Sequence, residues 1–159
     1  MSKIPSILFV CSGNICRSPA LKEMMKHLLR EKGIDAYVES CGLHTLFPGR
    51  SPDKRMQTVG KSYGIALHDR SKPFEADFFN RFDVIFCVTG DIRIAVKAMA
   101  RTEKDRNKVF IASHFSKKHK DEEIPDPYVG GEKSFEAVWN RVADACRGII
   151  RHFFVDHPS

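Results

Sequence analysis

Two stretches of the chain carry a cysteine followed six positions later by an arginine: Cys11…Arg17 and Cys87…Arg93. This pairing has chemical meaning, because a thiolate nucleophile is stabilised by a nearby cation and a phosphate is held well by a guanidinium fork. Both stretches follow a short apolar run and precede a helical pattern. Only the residues between the cysteine and the arginine can therefore show which of the two stretches is the better candidate for a phosphate-binding site.

The first stretch reads CSGNICRSP from Cys11 to Pro19 and contains no acidic side chain. Gly13 and Asn14 tolerate left-handed backbone angles, which let successive N–H groups converge on an anion. Ser18 is predicted to cap a helix and Pro19 to take its first position, so the loop would end on a positive helix terminus. These features predict an anion-binding loop.

The second stretch reads CVTGDIR from Cys87 to Arg93. Asp91 would place a negative charge inside the cradle and repel a phosphate dianion. The sequence therefore favours Cys87 as a buried strand residue, and it favours Cys146 as a core residue.

Cys11 is the predicted nucleophile. The helix terminus, the loop amides and Arg17 should all favour its thiolate at neutral pH. Arg17 can clamp two phosphate oxygens and hold them as charge shifts in the transition state. The alternative is a structural cysteine at a strand end.

The elements that must position these residues alternate along the chain. The apolar runs that predict strands are 6–10, 36–40, 83–88 and 108–112. Apolar residues at helical spacing from Leu21 onward predict that the helix after the first loop continues until Gly33 closes it. Helices are also predicted from Asp53 to Tyr63 and in a run through Ala100. The stripe from Phe135 to Phe153 predicts a last, amphipathic helix. Alternating strands and helices predict an α/β fold with a parallel sheet and helices on both faces.

The amino-acid composition limits the number of domains, the cellular compartment and the kinds of site that the chain can have. The 159 residues are 42% hydrophobic and 29% charged, which suits one globular domain over residues 1–159. Five scattered cysteines are unlike a disulfide framework and predict a cytoplasmic protein; no apolar run predicts a membrane span or a signal peptide. The seven histidines show no ligand spacing, so no metal ion is expected.

The net charge of +6 has two possible explanations, which are binding to nucleic acid and binding to anionic substrates. Seven basic and two acidic residues lie between Arg101 and Lys120, without the interleaved aromatic residues that stack on bases. We therefore expect no nucleic-acid partner. The segment is either a solvated surface or a site that recruits acidic phosphoproteins, and Lys117 and Lys118 would test the second possibility.

The stretch from Val10 to Pro19, together with Asp126-Pro127-Tyr128 late in the chain, resembles the low molecular weight protein tyrosine phosphatases. The resemblance covers nearly the whole chain. It implies a three-layer fold whose four-stranded parallel sheet is flanked by helices, with a phosphate-binding loop after the first strand. It also implies hydrolysis of tyrosine-phosphorylated proteins through a phosphocysteine intermediate, without a cofactor, by a monomer or weak homodimer.

The resemblance implies a role for each matching residue. Cys11 attacks phosphorus, Arg17 binds the phosphoryl oxygens, and Asp126 first protonates the leaving phenolate and then activates water. Without the Cys11 loop, Asp126 would be taken for a turn residue. The residues implied to support the loop are Asn14, Ser18, Ser40 and His68. Those implied to surround the substrate are Ser12, Gly13, Asn14, Ile15, Cys16, Ser18, Leu46, Phe47 and Tyr128.

Some positions depart from the family's pattern. Leu46 stands where many members have an aromatic cleft wall, with Phe47 beside it, and Val129 stands where many have a second tyrosine. Cys16 either fills space or, as the family suggests, forms a disulfide with oxidised Cys11.

Two other activities are known on the same scaffold. Arsenate reductase needs a closely spaced cysteine pair near the third strand, whereas Cys87 stands alone in that region of the sequence. A phosphoarginine phosphatase has threonine where this loop has Ile15, and the bulkier Ile15 favours an aryl phosphate.

Overall fold

A computed structural model describes residues 5–45, 47–127 and 130–154, and of residue 132 the backbone alone. Leu46, Tyr128 and Val129 lie outside the described residues.

The centre of the fold is a four-stranded parallel sheet with the strand order β2-β1-β3-β4. The strands are β1 (Ser6–Cys11), β2 (Tyr37–Gly42), β3 (Val84–Cys87) and β4 (Val109–Ile111). β1 and β3 are buried along their whole length, which explains why they read as unbroken apolar runs in the sequence. The predicted fold class is confirmed.

Helices connect and cover the strands. They are α1 (Arg17–Glu31), α2 (Lys54–Ser62), α3 (Phe78–Arg81), α4 (Gly90–Met99), α5 (Glu103–Arg106), a 3-10 helix (Ala112–Phe115) and α6 (Glu132–Phe153). Gly33 and Gly64 adopt positive φ angles of 66° and 75° just after α1 and α2, which is why each helix ends where the sequence predicted. No helix in the described ranges is long and apolar enough to span a membrane.

The strand order reverses between β1 and β3. The chain passes from β1 to β2 on one side and then crosses to β3 on the other side. In an open parallel sheet this switch leaves a crevice beyond the carboxyl ends of the two strands, where ligands bind. Cys11 is the last residue of β1 and therefore lies at this crevice.

The core on one side of the sheet depends on α6. α6 packs against α1 and α2, and its Trp139 is fully buried with the indole Nε1 donating a hydrogen bond to the Met56 carbonyl at 3.1 Å. The short helices α3 and α5 and the 3-10 helix were not predicted from the sequence, because four residues are too few to show helical periodicity.

Candidate active site

The Cys11 thiol lies at the focus of the first loop. Its side chain is 2% exposed, and its Sγ accepts a hydrogen bond from the Asn14 backbone N–H at 3.2 Å. The Ser18 hydroxyl lies 2.9 Å from the same sulfur. The loop therefore directs an amide N–H, a hydroxyl and the N-terminus of α1 toward one atom, an arrangement that stabilises a thiolate or a bound anion.

Asn14 holds the loop in its unusual shape. Its φ of 59° lies in the left-handed region that asparagine tolerates, whereas Gly13, which would tolerate the same angles, does not adopt a positive φ. The Asn14 Nδ2 donates to the hydroxyls of Ser18 (2.8 Å) and Ser40 (2.9 Å). Its Oδ1 accepts from the backbone N–H of Lys72 at 2.9 Å. Three hydrogen bonds thus compensate for the strain of a left-handed non-glycine residue.

Ser18 does not cap α1, so this prediction is wrong. The helix begins two residues earlier than predicted, at Arg17, and Cys16 occupies the N-cap position without a side-chain cap bond. The Ser18 hydroxyl faces the sheet instead, where it contacts the Cys11 thiol and the Cys41 carbonyl at 3.2 Å. A hydroxyl used in this way cannot also cap the helix.

Arg17 connects the loop to the segment that carries the predicted acid. Its side chain is 6% exposed, and its Nη1 donates to the Ile124 carbonyl at 3.0 Å. The Ile124 backbone N–H in turn donates to the Val88 carbonyl at the end of β3, at 3.0 Å. Asp126 follows two residues later and is exposed. These bonds hold the extended segment that leads to Asp126 against the loop.

The electrostatics of Cys16 show that these groups are close together. Burial, and after it the nearby charges of Asp53, Cys11 and Asp126, together raise the pKa of the Cys16 thiol to about 12, although Arg17 acts in the opposite direction. Cys16 is therefore a protonated thiol within electrostatic reach of both Cys11 and Asp126.

His68 does not support the loop. Its side chain is 70% exposed and pairs with Asp69 at 3.4 Å, and no contact with Asn14 is found among the described residues. The position at Asn14 Oδ1 is taken by the Lys72 backbone, which no side-chain pattern could have predicted.

An ion network lies behind the loop. The buried Lys22 ammonium pairs with Glu39 at 2.9 Å and with Asp69, and Lys72 pairs with the same Glu39 oxygen at 3.0 Å. Burial by itself would raise the pKa of the Glu39 carboxyl, but the hydrogen bonds from Lys22 and Lys72 outweigh it and lower that pKa. Glu39 precedes Ser40, and Lys72 carries the N–H bound by Asn14, so the network fixes two of the partners that Asn14 needs.

Gly42 permits the close approach of the loop to β2. A Cβ atom there would lie 2.6 Å from the Ser12 carbonyl oxygen and 3.0 Å from the Asn14 nitrogen, closer than side chains allow. Gly42 was not among the predicted site residues, although a glycine at the end of a strand beside a candidate loop is a signal for such a close approach.

The predicted substrate walls are only partly described. Ile15 is half-buried, and Phe47 is 69% exposed with its carbonyl accepting from the Ser71 hydroxyl at 3.2 Å. Leu46 and Tyr128 lie outside the described residues.

The second cysteine stretch is built differently. α4 begins at Gly90, three residues after Cys87, and the Thr89 hydroxyl caps it by accepting from Ile92 N–H. The Glu123 carboxylate accepts from the Gly90 N–H at 2.7 Å and so occupies this helix terminus. Burial raises the pKa of the Cys87 thiol to about 12. Cys87 and Cys146 are both fully buried, as expected.

Comparisons with known proteins agree with this geometry. Residues 6–156 match the family model of the low molecular weight phosphotyrosine protein phosphatases. A low molecular weight phosphotyrosine protein phosphatase of Drosophila melanogaster is 31% identical over 153 residues, which cover 94% of this chain and 93% of the relative.

Two solved structures extend the comparison. A protein tyrosine phosphatase from Entamoeba histolytica, with Hepes in its active site, is similar with a TM-score of 0.91 and 34% identity over 96% of this chain and 98% of its own. A Drosophila arginine phosphatase is similar with a TM-score of 0.86 and 30% identity, covering 92% of this chain and 96% of its own. The match of the family model over nearly the whole length shows that this chain belongs to the low molecular weight phosphotyrosine protein phosphatases.

Proposed function

We propose that the protein hydrolyses phosphotyrosine in proteins through a phosphocysteine intermediate on Cys11. The observation that carries the proposal is the environment of the Cys11 Sγ, which faces an amide N–H and a hydroxyl at the N-terminus of α1, the helix whose first residue is the buried Arg17. A loop of this kind binds the equatorial oxygens of a phosphoryl group while the sulfur stands in line for attack.

In the first half-reaction the Cys11 thiolate attacks phosphorus and the P–O bond to tyrosine breaks. The leaving phenolate takes a proton from the Asp126 carboxyl, because a phenol with a pKa near 10 is a poor leaving group as an anion. The Arg17 guanidinium, oriented by its hydrogen bond to Ile124, binds the phosphoryl oxygens as their charge develops.

In the second half-reaction the Asp126 carboxylate takes a proton from water, and the hydroxide formed attacks phosphorus. The S–P bond breaks, phosphate leaves and Cys11 returns as a thiolate. Ser18 assists this step: its oxygen already accepts from Asn14, so its single proton can turn from the Cys41 carbonyl to the sulfur as negative charge returns there.

The proposal also specifies the substrate, namely which phosphorylated side chain the site accepts. Ile15 supplies an apolar edge of the loop, which suits an aromatic ring. The other residues proposed to contact the substrate ring are Leu46, Phe47 and Tyr128. The arginine phosphatase among the similar structures makes phosphoarginine the second candidate. We further propose that the chain acts as a single domain on tyrosine-phosphorylated proteins in the cytoplasm, where its five unpaired thiols would stay reduced.

Phosphate release from four substrates tests the proposal: an aryl phosphate, a phosphotyrosine peptide, a phosphoserine peptide and phosphoarginine. We expect turnover of the first two. Asp126→Ala should reduce kcat on the phosphotyrosine peptide roughly 100-fold or more. The loss in kcat/KM, which reports the first half-reaction alone, should shrink on an aryl phosphate whose phenol is more acidic, because that leaving group needs no proton. An equal loss on both substrates would contradict the role of Asp126 as the acid, and preferred turnover of phosphoarginine would support the second candidate.

A further inference from the structure

A basic groove opens directly beside the anion-binding loop. It has a volume of about 770 Å³ and is lined by Ile15 of the loop and by residues from 50 to 61, at the start of α2 and just before it. We call it the α2 groove. Its charged lining residues are Arg50, Asp53, Lys54, Arg55 and Lys61.

The one acidic residue in this lining is already neutralised. The Asp53 carboxylate accepts from the backbone N–H groups of Arg55 and Met56 and pairs with the Arg55 guanidinium at 3.1 Å. Burial by itself would raise the pKa of the Asp53 carboxyl, but these hydrogen bonds outweigh it and lower that pKa. Asp53 thus remains an anion tied to Arg55, and Arg55 also stacks over the Phe135 ring at 4.4 Å.

Three cations of the α2 groove have no such partner. Neither hydrogen bonds nor ion pairs join the side chains of Arg50, Lys54 and Lys61 to acidic groups among the described residues, and all three are exposed. The groove therefore presents three uncompensated positive charges beside the site that would bind phosphotyrosine.

The wall of the groove is well fixed. The Asp53 N–H donates to the Ile15 carbonyl at 2.8 Å, which attaches the groove to the loop itself. Arg70 donates to the Ser51 hydroxyl at 2.9 Å and to the Gly49 carbonyl at 3.3 Å, and Gln57 donates to the Pro52 carbonyl at 2.8 Å. A fixed wall lowers the entropy cost of binding an extended segment.

We propose that the α2 groove binds acidic side chains next to the phosphotyrosine of the substrate, on one side of it, through Arg50, Lys54 and Lys61. This inference rests on the proposed function. An extended peptide advances about 3.3 Å per residue, so residues within two or three positions of the phosphotyrosine would reach the groove. None of the described lining residues is aromatic, which disfavours the stacked bases of a nucleic acid.

The basic segment from Arg101 to Lys120 is a weaker candidate for the same role. Two of its basic side chains already form ion pairs within the segment: Arg106 pairs with Glu103 at 2.8 Å, and Lys108 pairs with Asp105 at 3.6 Å. Residues 101–108 also precede β4, so they lie at the end of the parallel sheet opposite Cys11. Lys117 and Lys118 remain exposed and serve as a matched control.

The test compares two phosphotyrosine peptides that differ only in glutamate or glutamine at the flanking positions. We expect the wild-type protein to show a kcat/KM for the acidic peptide roughly 5- to 30-fold above that for the neutral one, as three exposed charge pairs would give. The ratio should approach 1 at 1 M salt, where the screening length is about 3 Å. Arg50→Gln/Lys54→Gln/Lys61→Gln should bring it toward 1 at low salt, whereas Lys117→Gln/Lys118→Gln should leave it unchanged.

The outcomes separate the two proposals. A wild-type ratio near 1, with both peptides turned over, would overturn the role of the α2 groove and leave the proposed function intact. A high ratio that persists in the triple variant, or that only the Lys117/Lys118 variant abolishes, would also overturn it. Absence of turnover on both peptides and on an aryl phosphate would overturn the proposed function together with this inference.

Discussion

The two cysteine–arginine stretches share a spacing, a preceding strand and a following helix, yet they build different structures. After Cys11 the chain forms a loop of five residues and α1 begins only at Arg17. After Cys87 the helix begins at Gly90, so Arg93 already lies in α4 and its backbone N–H donates to the Thr89 carbonyl. A loop can surround an anion only where the helix starts late enough for the amides between cysteine and arginine to remain free.

The residues between cysteine and arginine decide where each helix starts. In the second stretch Thr89 has the cap geometry and directs its hydroxyl to Ile92, which starts α4 early. In the first stretch Asn14 adopts a left-handed conformation and binds partners outside the loop, which delays the helix. The sequence spacing is therefore less informative than the residue that follows the cysteine by two or three positions.

The neighbouring residues Glu123 and Ile124 each contact one of the two stretches, and they present groups of different charge. Glu123 directs its carboxylate to the Gly90 N–H, so the second helix terminus receives a negative group from the protein itself. Ile124, the next residue, offers only its carbonyl to Arg17. The first loop thus remains available to an external anion while the second is already satisfied.

The largest expected effect tests the nucleophile. Cys11→Ser should reduce phosphate release from an aryl phosphate by at least about 10⁴-fold, because a serine hydroxyl is not ionised at neutral pH. The matched control is Cys87→Ala, which should retain turnover within a few-fold, since that thiol is buried and protonated. Circular dichroism should show both variants folded. Comparable losses in the two variants would remove the functional distinction between the stretches.

A smaller effect is expected at the two arginines. Arg17→Lys should lower kcat roughly 100- to 1,000-fold, because an ammonium cannot hold two phosphoryl oxygens as a guanidinium does. Arg93→Lys should change kcat less than about twofold, as for other substitutions away from a site. Steady-state kinetics at saturating aryl phosphate measure both. Full activity of Arg17→Lys would mean that phosphate is bound elsewhere.

The smallest effect concerns the ion network behind the first loop. A carboxyl whose pKa is lowered on folding stabilises the protein above its unfolded pKa, and that contribution is lost as the pH falls through the folded value. Glu39→Gln should therefore destabilise the protein by about 1 kcal/mol at pH 7 and weaken the loss of stability below pH 4.5.

Urea unfolding between pH 7 and pH 3 measures this dependence. Glu123→Gln, at the second helix terminus, is the control and should leave the acid dependence as steep as in the wild type. An unchanged acid profile in Glu39→Gln would show that the Glu39 carboxylate contributes nothing to the pH dependence of stability.

Much of the fold was predictable from the sequence, because its strongest signals are local. The buried runs of β1 and β3, the position of α2 just after Asp53 and the glycines that end α1 and α2 each depend on residues within a few positions. The strand from 36 to 40 was predicted slightly short, since Cys41 and Gly42 give no β-strand signal of their own.

The site was predictable only where its chemistry is carried by side chains in one motif. The loop from Cys11 to Arg17 is such a motif. The Lys72 N–H and most of the lining of the α2 groove lie far from the motif in the chain, and a backbone N–H leaves no pattern in the sequence that identifies its partner. Gly42 does carry a signal at the end of β2, but its close approach to the loop is visible only in the fold. The prediction for His68 failed for the same reason, because a neighbouring backbone fills the position that the histidine was expected to take.

The hydrogen bonds of Asn14 have a consequence for folding. They join residue 14 to partners 26 and 58 positions away, and contacts over such distances form only after the intervening chain has closed its loops. A peptide spanning residues 8–20 would contain every residue of the motif, but it would lack Ser40 and Lys72, whose hydrogen bonds hold Asn14 in place. Recovery of catalysis after dilution from denaturant should therefore lag behind recovery of helix, and enzymatic turnover becomes a reporter of the last tertiary contacts to form.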